Sequence, residues 1–104
     1  MKRDFRLMTF LLVFLGSCAS QWDKIAPTVT PAMAHKSGRS EGTLQMGRAT
    51  YMAHCGRCHE HQLPDSVSDD DWHVVVPGMA WNASLNKQQE DAVRAYLIAA
   101  KSNK

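Results

Sequence analysis

The chain has 104 residues, with 12 Lys and Arg, 10 Asp and Glu and a formal net charge of +2 at pH 7. Three of the basic residues and one acidic residue lie within residues 1–17, so the remainder holds nine of each and is formally neutral. A nucleic-acid-binding domain carries a basic patch or stripe, so we expect no nucleic-acid partner.

The first 18 residues, MKRDFRLMTFLLVFLGSC, have the layout of an export signal. A basic head precedes an apolar stretch over residues 7–15, which is shorter than the ~20 residues that a membrane-spanning helix needs. The segment LGSC resembles the lipobox of bacterial lipoproteins, in which cleavage precedes the cysteine and the thiol is lipidated. The resemblance implies a signal peptide over residues 1–17 and a lipid on Cys18. An ordinary signal with a chance cysteine is the alternative.

This resemblance implies an exported, periplasmic protein that is held to a membrane by its lipid. Ala19, directly after the cysteine, is typical of lipoproteins sorted to an outer membrane. Residues 19–41 contain two prolines, several Ser and Thr and no sustained apolar period. This composition predicts a flexible tether with little structure. We therefore divide the chain into the signal peptide, the lipidated cysteine with its tether (18–41) and a folded domain (42–104).

Three helices are predicted within the folded domain. The first, TLQMGRATYMAHC, places Leu44, Gly47 and Tyr51 on one helical stripe. The last, NKQQEDAVRAYLIAAK, begins with Asn86 as N-cap and has Gln89 three residues later, which is a helix-start pattern.

The middle helix, SDDDWHVVV, begins with a capping-box pattern from Ser68 to Asp71. Pro77 restricts the residue before it, which predicts that this helix ends at Val76. No strand alternation is convincing, so we predict an all-α domain. About 60 folded residues lie near the lower limit for stability by burial alone, which favours an additional staple such as a bound cofactor.

Cysteines and histidines cluster in AHCGRCHEHQLP, residues 53–64. Cys55 and Cys58 are three positions apart, His59 follows directly, and His54 and His61 lie beside them. A redox disulfide has this C-x-x-C spacing, but thioredoxin-like sites belong to a strand–helix context that this chain lacks. A structural zinc site is the second interpretation, and it generally needs four ligands.

The third interpretation is the C-x-x-C-H motif of covalently attached c-type haem. Two thiols at this spacing on a helical turn can add to the two vinyl groups of the porphyrin, and the following imidazole can coordinate the iron. Attachment occurs outside the cytoplasm, which agrees with the export signal. The zinc interpretation, by contrast, requires an irregular site in which His35 or His73 is a further ligand.

Four segments resemble the small monohaem class I cytochromes c of bacteria: GRATYMAHCGRCH, LP, WHVVVPGM and DAVRAYL, over roughly residues 47–97. The resemblance implies an all-α, cytochrome c-like fold of three to four helices wrapped around one haem c. Cys55 and Cys58 would hold the haem covalently, and His59 would be one axial ligand. Met79, 20 residues after His59, would be the second axial ligand. Its thioether is soft and neutral and raises the potential of the iron.

The resemblance also implies supporting roles. Gly47 would permit close crossing of the first and last helices, with Tyr51 and Tyr96 packed there. Pro64 would orient the second nitrogen of the histidine ligand through its carbonyl or the neighbouring backbone, and Trp72 would pack near the haem edge. A simple turn residue is the alternative for Pro64. The helix break predicted at Pro77 departs from the family pattern, which leaves His61 and His73 as fallback ligands.

The function implied is electron transport: a membrane-tethered carrier of single electrons between redox proteins, without enzyme activity or a small-molecule substrate. The alternative is a haem-based gas sensor or weak peroxidase in which the bond to Met79 is labile.

Overall fold

The computed structural model describes residues 21–101, and they contain helices and no strand. A helical stretch at residues 21–25 precedes helix α1 (Pro31–Ser37), helix α2 (Glu41–His54), a 3₁₀ turn (Pro64–Ser66), helix α3 (Asp69–Asn82) and helix α4 (Lys87–Ala99). The prediction of an all-α domain is confirmed for these residues. The predicted signal peptide, Cys18 and Ala19 lie outside the described part of the chain.

The predicted starts of the last two helices are confirmed. The Asp71 backbone N–H donates to the Ser68 hydroxyl at 3.1 Å ahead of α3. Ahead of α4, the Gln89 backbone N–H donates to the Asn86 side chain at 2.8 Å, and the Asn86 N–H donates back to the Gln89 side chain at 3.0 Å. These bonds satisfy backbone donors that have no partner within their helices.

Helix α3 continues through Pro77 to Asn82, so the predicted end at Val76 is wrong. A proline inside a helix costs about 3 kcal/mol. Trp72, Val76 and Ala80 form one stripe of this helix and are all buried, at 2–3 % exposure. Each large apolar side chain buried contributes about 1.5–3 kcal/mol, so burial of the stripe outweighs the proline. Pro77 itself faces solvent.

Helices α2 and α4 cross in close contact at Gly47. A Cβ atom there would lie 2.0 Å from the carbonyl oxygen of Ala92 and 2.7 Å from the Cβ of Tyr96. Only glycine permits this approach of two backbones. Tyr51 and Tyr96 pack beside the crossing, with ring centroids 6.3 Å apart. Both tyrosines are buried, and they connect the crossing to the rest of the core.

Residues 21–41 are structured, and the prediction of a tether with little structure is wrong for them. Ala26 is fully buried in the core. Ile25, Val29 and Met33 are half-buried and pack against the core cluster. This segment also accepts hydrogen bonds from the helices: Arg48 donates to the Ala26 carbonyl at 3.0 Å. The apolar residues spaced by four along this segment provide enough burial to order it.

Within residues 21–101, no helix combines the length and the apolar character that a membrane crossing requires.

Candidate cofactor site

An apolar cavity of about 20 Å³ lies between α2, α3 and α4. Ligand sites in proteins are typically apolar hollows with a few polar groups. Three of the predicted haem-binding residues, Cys55, His59 and Met79, line this cavity. The remaining wall is formed by Tyr51, Gln62, Trp72, Val76, Ala80, Leu85, Val93 and Leu97.

A second cavity, of about 110 Å³, is lined by the same three residues and by Cys58. Cys55, His59 and Met79 therefore stand between the two cavities, and both cysteines of the C-x-x-C-H motif face at least one of them. The predicted covalent and axial residues thus share one region of the molecule, although the cysteines and His59 follow α2 in the loop and Met79 lies on α3.

The two cysteines differ in environment. Cys55 caps the end of α2, where its backbone N–H donates to the Tyr51 carbonyl at 3.2 Å, and its side chain is half-buried. Burial raises the pKa of the Cys55 thiol, because removal from water disfavours the thiolate. Cys58 is exposed, and the two thiols are not joined by a disulfide.

The His59 side chain is oriented by its own loop. Its Nδ1 lies 2.7 Å from the Glu60 carbonyl oxygen, so this nitrogen carries the proton that donates to Glu60. The Nε2 atom is then the nitrogen with a lone pair for a metal. Pro64 was predicted as a backbone partner of the histidine, and the structure gives this contact to Glu60. The Pro64 carbonyl instead accepts the Trp72 indole N–H at 3.1 Å.

Trp72 and Pro64 therefore support the cavity as a pair, because the hydrogen bond fixes the indole ring in the cavity wall. Both side chains are buried. Met79 lies seven residues after Trp72 on α3, two helical turns along, and its side chain is 36 % exposed where it reaches both cavities. Helix α3 thus supplies both the wall and the predicted thioether ligand.

The two fallback ligands occupy other environments. The His61 ring packs on Gly56, where a Cβ would lie 2.3 Å from its Cε1 atom, and its Nε2 is 3.1 Å from the Tyr51 carbonyl oxygen. The rings of His61 and Tyr51 meet edge to face, with centroids 4.9 Å apart. His61 is thus a packing residue of the loop. His73 is exposed and lines neither cavity.

Three contributors to the site were not predicted from the sequence. Leu85 completes the apolar wall. Gln62 accepts a hydrogen bond from the Tyr51 hydroxyl at its backbone carbonyl, which leaves no sequence signal because any residue offers that oxygen. His54 lines the second cavity, and its buried Nδ1 has no hydrogen-bond partner among the described residues. A buried polar atom without a hydrogen-bond partner is uncommon in folded proteins.

Burial also raises the pKa of Tyr51 and raises that of Tyr96 to about 12, so both phenols stay neutral. Within residues 21–101, the structure brings together no group of three or more His, Cys, Asp or Glu side chains suited to a metal ion.

Neither the protein-family models, nor the curated proteins, nor the solved structures contain a match to this chain.

Proposed function

We propose that this protein is an exported, lipid-anchored monohaem c-type cytochrome that carries single electrons between redox proteins on the periplasmic side of a membrane. One observation carries the proposal: Cys55, His59 and Met79, chosen from sequence as haem-binding residues, line one apolar cavity in the structure. The lipid anchor on Cys18 rests on the lipobox resemblance alone.

The residues present fit a haem. Cys55 and Cys58 would hold it through thioether links, and His59 would bind iron through Nε2, with Nδ1 already oriented by the Glu60 carbonyl. A ligating histidine almost always donates its second nitrogen in this way. Met79 would bind from α3 as a soft, neutral ligand. Bound there, the haem would supply one-electron oxidation and reduction.

The protein's contribution is exclusion of water and a fixed geometry. Trp72 and Val76 line the cavity from α3, and Val93 and Leu97 line it from α4. Each of these four side chains is at most 3 % exposed. Apolar burial controls solvent access, and with it the reduction potential. If His59 and Met79 both held the iron, a substrate would have no free position on it, which supports a carrier rather than an enzyme.

One observation favours the gas-sensor or weak-peroxidase alternative. Pro77 cannot donate the backbone hydrogen bond that helix geometry requires, and Gly78 follows it with open space around its Cα. Met79 therefore sits on a weakened helical turn. Carbon monoxide added to the reduced protein separates the two functions: an unchanged spectrum supports the carrier, and rapid binding supports the sensor or enzyme.

The test of haem attachment is expression of the full chain in a host able to mature c-type cytochromes. We expect a red protein whose haem survives denaturing electrophoresis, and loss of this covalent haem when both cysteines, Cys55 and Cys58, are replaced by alanine. A colourless product from such a host would refute the proposal.

The test of the second axial ligand is Met79→Ala, with Met46→Ala as the matched control. Met46 is 37 % exposed, almost the same as Met79 at 36 %, but lies on α2 and lines neither cavity. We expect the iron–sulfur charge-transfer absorption of the oxidised protein to disappear in Met79→Ala and to persist in Met46→Ala. Persistence in Met79→Ala would remove this methionine from the site.

A further inference from the structure

A wide groove of about 650 Å³ runs between residues 21–29 and the outer face of α2. It lies outside the candidate cofactor site, with which it shares no lining residue. Its wall includes Trp22, which is 41 % exposed, and the half-buried Val29 and Met52. Arg48 is the one charged residue among the eight that line it, and none of the eight is acidic.

Residues 25–29 are held firmly on the helices, so the groove is a fixed feature. Arg48 donates to the Ala26 carbonyl, and the Tyr96 hydroxyl donates to the Pro27 carbonyl at 2.6 Å. Trp22 itself approaches His61 edge to face, with ring centroids 6.0 Å apart. The chain is thus anchored to the domain from Trp22 onward, and a free tether as long as residues 19–41 does not exist.

The end of the described chain brings the groove close to the proposed lipid. Only three residues separate Trp22 from Cys18, and this length of chain spans at most ~14 Å even when fully extended. A lipid on Cys18 would therefore hold the domain directly against the bilayer. Trp22, at the edge of the groove, would be the first large apolar side chain among the described residues to meet it.

We propose that this groove is the surface through which the domain lies on a phospholipid membrane. Tryptophan suits the interface between headgroups and acyl chains, because its ring is apolar and its N–H is polar. The apolar side chains of Val29 and Met52 would contact acyl chains. The absence of acidic residues from the lining, together with Arg48, suits phosphate headgroups. The inference rests on the lipid anchor of the proposed function, but it does not depend on the haem.

The test uses two single-cysteine additions in the full chain, Gln45→Cys and Gln88→Cys. Both glutamines are exposed on helices, but Gln45 lines the groove and Gln88 lies on α4 away from it. Membranes containing each variant are treated with a water-soluble maleimide, before and after solubilisation in detergent. Mass spectrometry of the peptides identifies each labelled thiol, so labels on Cys18, Cys55 and Cys58 are counted separately.

We expect detergent to accelerate labelling at position 45 by about tenfold, because an interfacial surface is buried ~5–10 Å in the headgroup region. Labelling at position 88 should be fast and unchanged. Equal, fast labelling at both positions in the membrane would overturn the proposal. Slow labelling at position 45 that detergent does not relieve would also overturn it, since a protein would then cover the groove.

The same experiment reports on the proposed function separately. Labels on Cys55 and Cys58 would show that haem is not attached, and a label on Cys18 would show that the lipid is missing. The first result leaves the conclusion from position 45 unchanged, whereas the second removes the anchor on which the groove proposal rests and so overturns that proposal. A chain recovered entirely in the soluble fraction would overturn both the anchor and the groove proposal, while the colour of the protein would still report the haem.

Discussion

The crossing of α2 and α4 and the loop at residues 55–63 are held in different ways. At the crossing, backbone contacts backbone, and the carbonyl oxygen of Ala92 lies 2.0 Å from the place of a Cβ on Gly47. In the loop, Cys58 and His59 are exposed, and hydrogen bonds and ring packing order the chain, both within the loop and with α2. Tyr51 donates to the Gln62 carbonyl.

This difference concerns side-chain packing: the crossing is filled by the chain itself, whereas the region of the loop contains unfilled space. The crossing fills its own space with side chains that are fully buried. The loop and the end of α3 surround cavities of about 20 and 110 Å³, whereas close packing without voids is the norm of protein interiors. The side of the domain that carries the cysteine motif is thus less completely packed than the helix crossing.

The largest effect is expected from Gly47→Ala at the crossing. A methyl group there would collide with the Ala92 carbonyl, and forcing the helices apart costs about 3 kcal/mol, the upper end of overpacking effects. Urea denaturation of the purified protein measures this loss. Gly42→Ala on the same helix is the control: its Cβ meets nothing within 4 Å, so we expect no loss of stability. Equal stability of the two variants would contradict the close crossing.

A smaller effect is expected from Trp72→Phe, which tests the link between α3 and the 3₁₀ turn. The change removes the indole N–H and leaves the Pro64 carbonyl without its donor, in buried surroundings. An unsatisfied buried group costs about 1–3 kcal/mol. Trp81→Phe is the control, because Trp81 is 85 % exposed and surface changes usually stay within ~0.5 kcal/mol. Equal losses in urea denaturation would show that this hydrogen bond does not stabilise the cavity wall.

The smallest effect is expected from Tyr96→Phe, which removes the hydrogen bond to the Pro27 carbonyl. The net loss at pH 7 is about 1 kcal/mol. Burial raises the pKa of Tyr96 from 10.0 to about 12 in the folded protein. The unfolded chain therefore loses this proton first, and stability falls as the pH rises from 10 towards 12. Phenylalanine has no proton to lose, so the gap between the two proteins should narrow above pH 10. A gap that stays constant to pH 12 would contradict the burial of this phenol.

Local signals in the sequence predicted the helix starts well. The pairs Ser68 with Asp71 and Asn86 with Gln89 form the expected hydrogen bonds because both partners lie within one helical turn. Gly47 was also identified, since its spacing from the cysteine motif matched a known pattern. These features need no knowledge of distant parts of the chain.

The errors have long-range causes. Pro77 was expected to end α3, but the buried stripe that includes Val76 and Ala80 extends the helix past it. Residues 21–41 were expected to be a tether because they contain proline and small polar residues, yet Ala26 is fully buried against the helices. The spacing of Ile25, Val29 and Met33 by four residues was the available sequence signal. It predicts burial only when the helix surface that these side chains contact is known.

The packing of His61 on Gly56 makes these two positions interdependent. The imidazole fills the volume that a Cβ at position 56 would need, so a larger residue there requires the ring at position 61 to move away. A smaller residue at position 61 would leave that volume open. The size that a position inside the cysteine motif accepts thereby depends on a neighbour outside the motif.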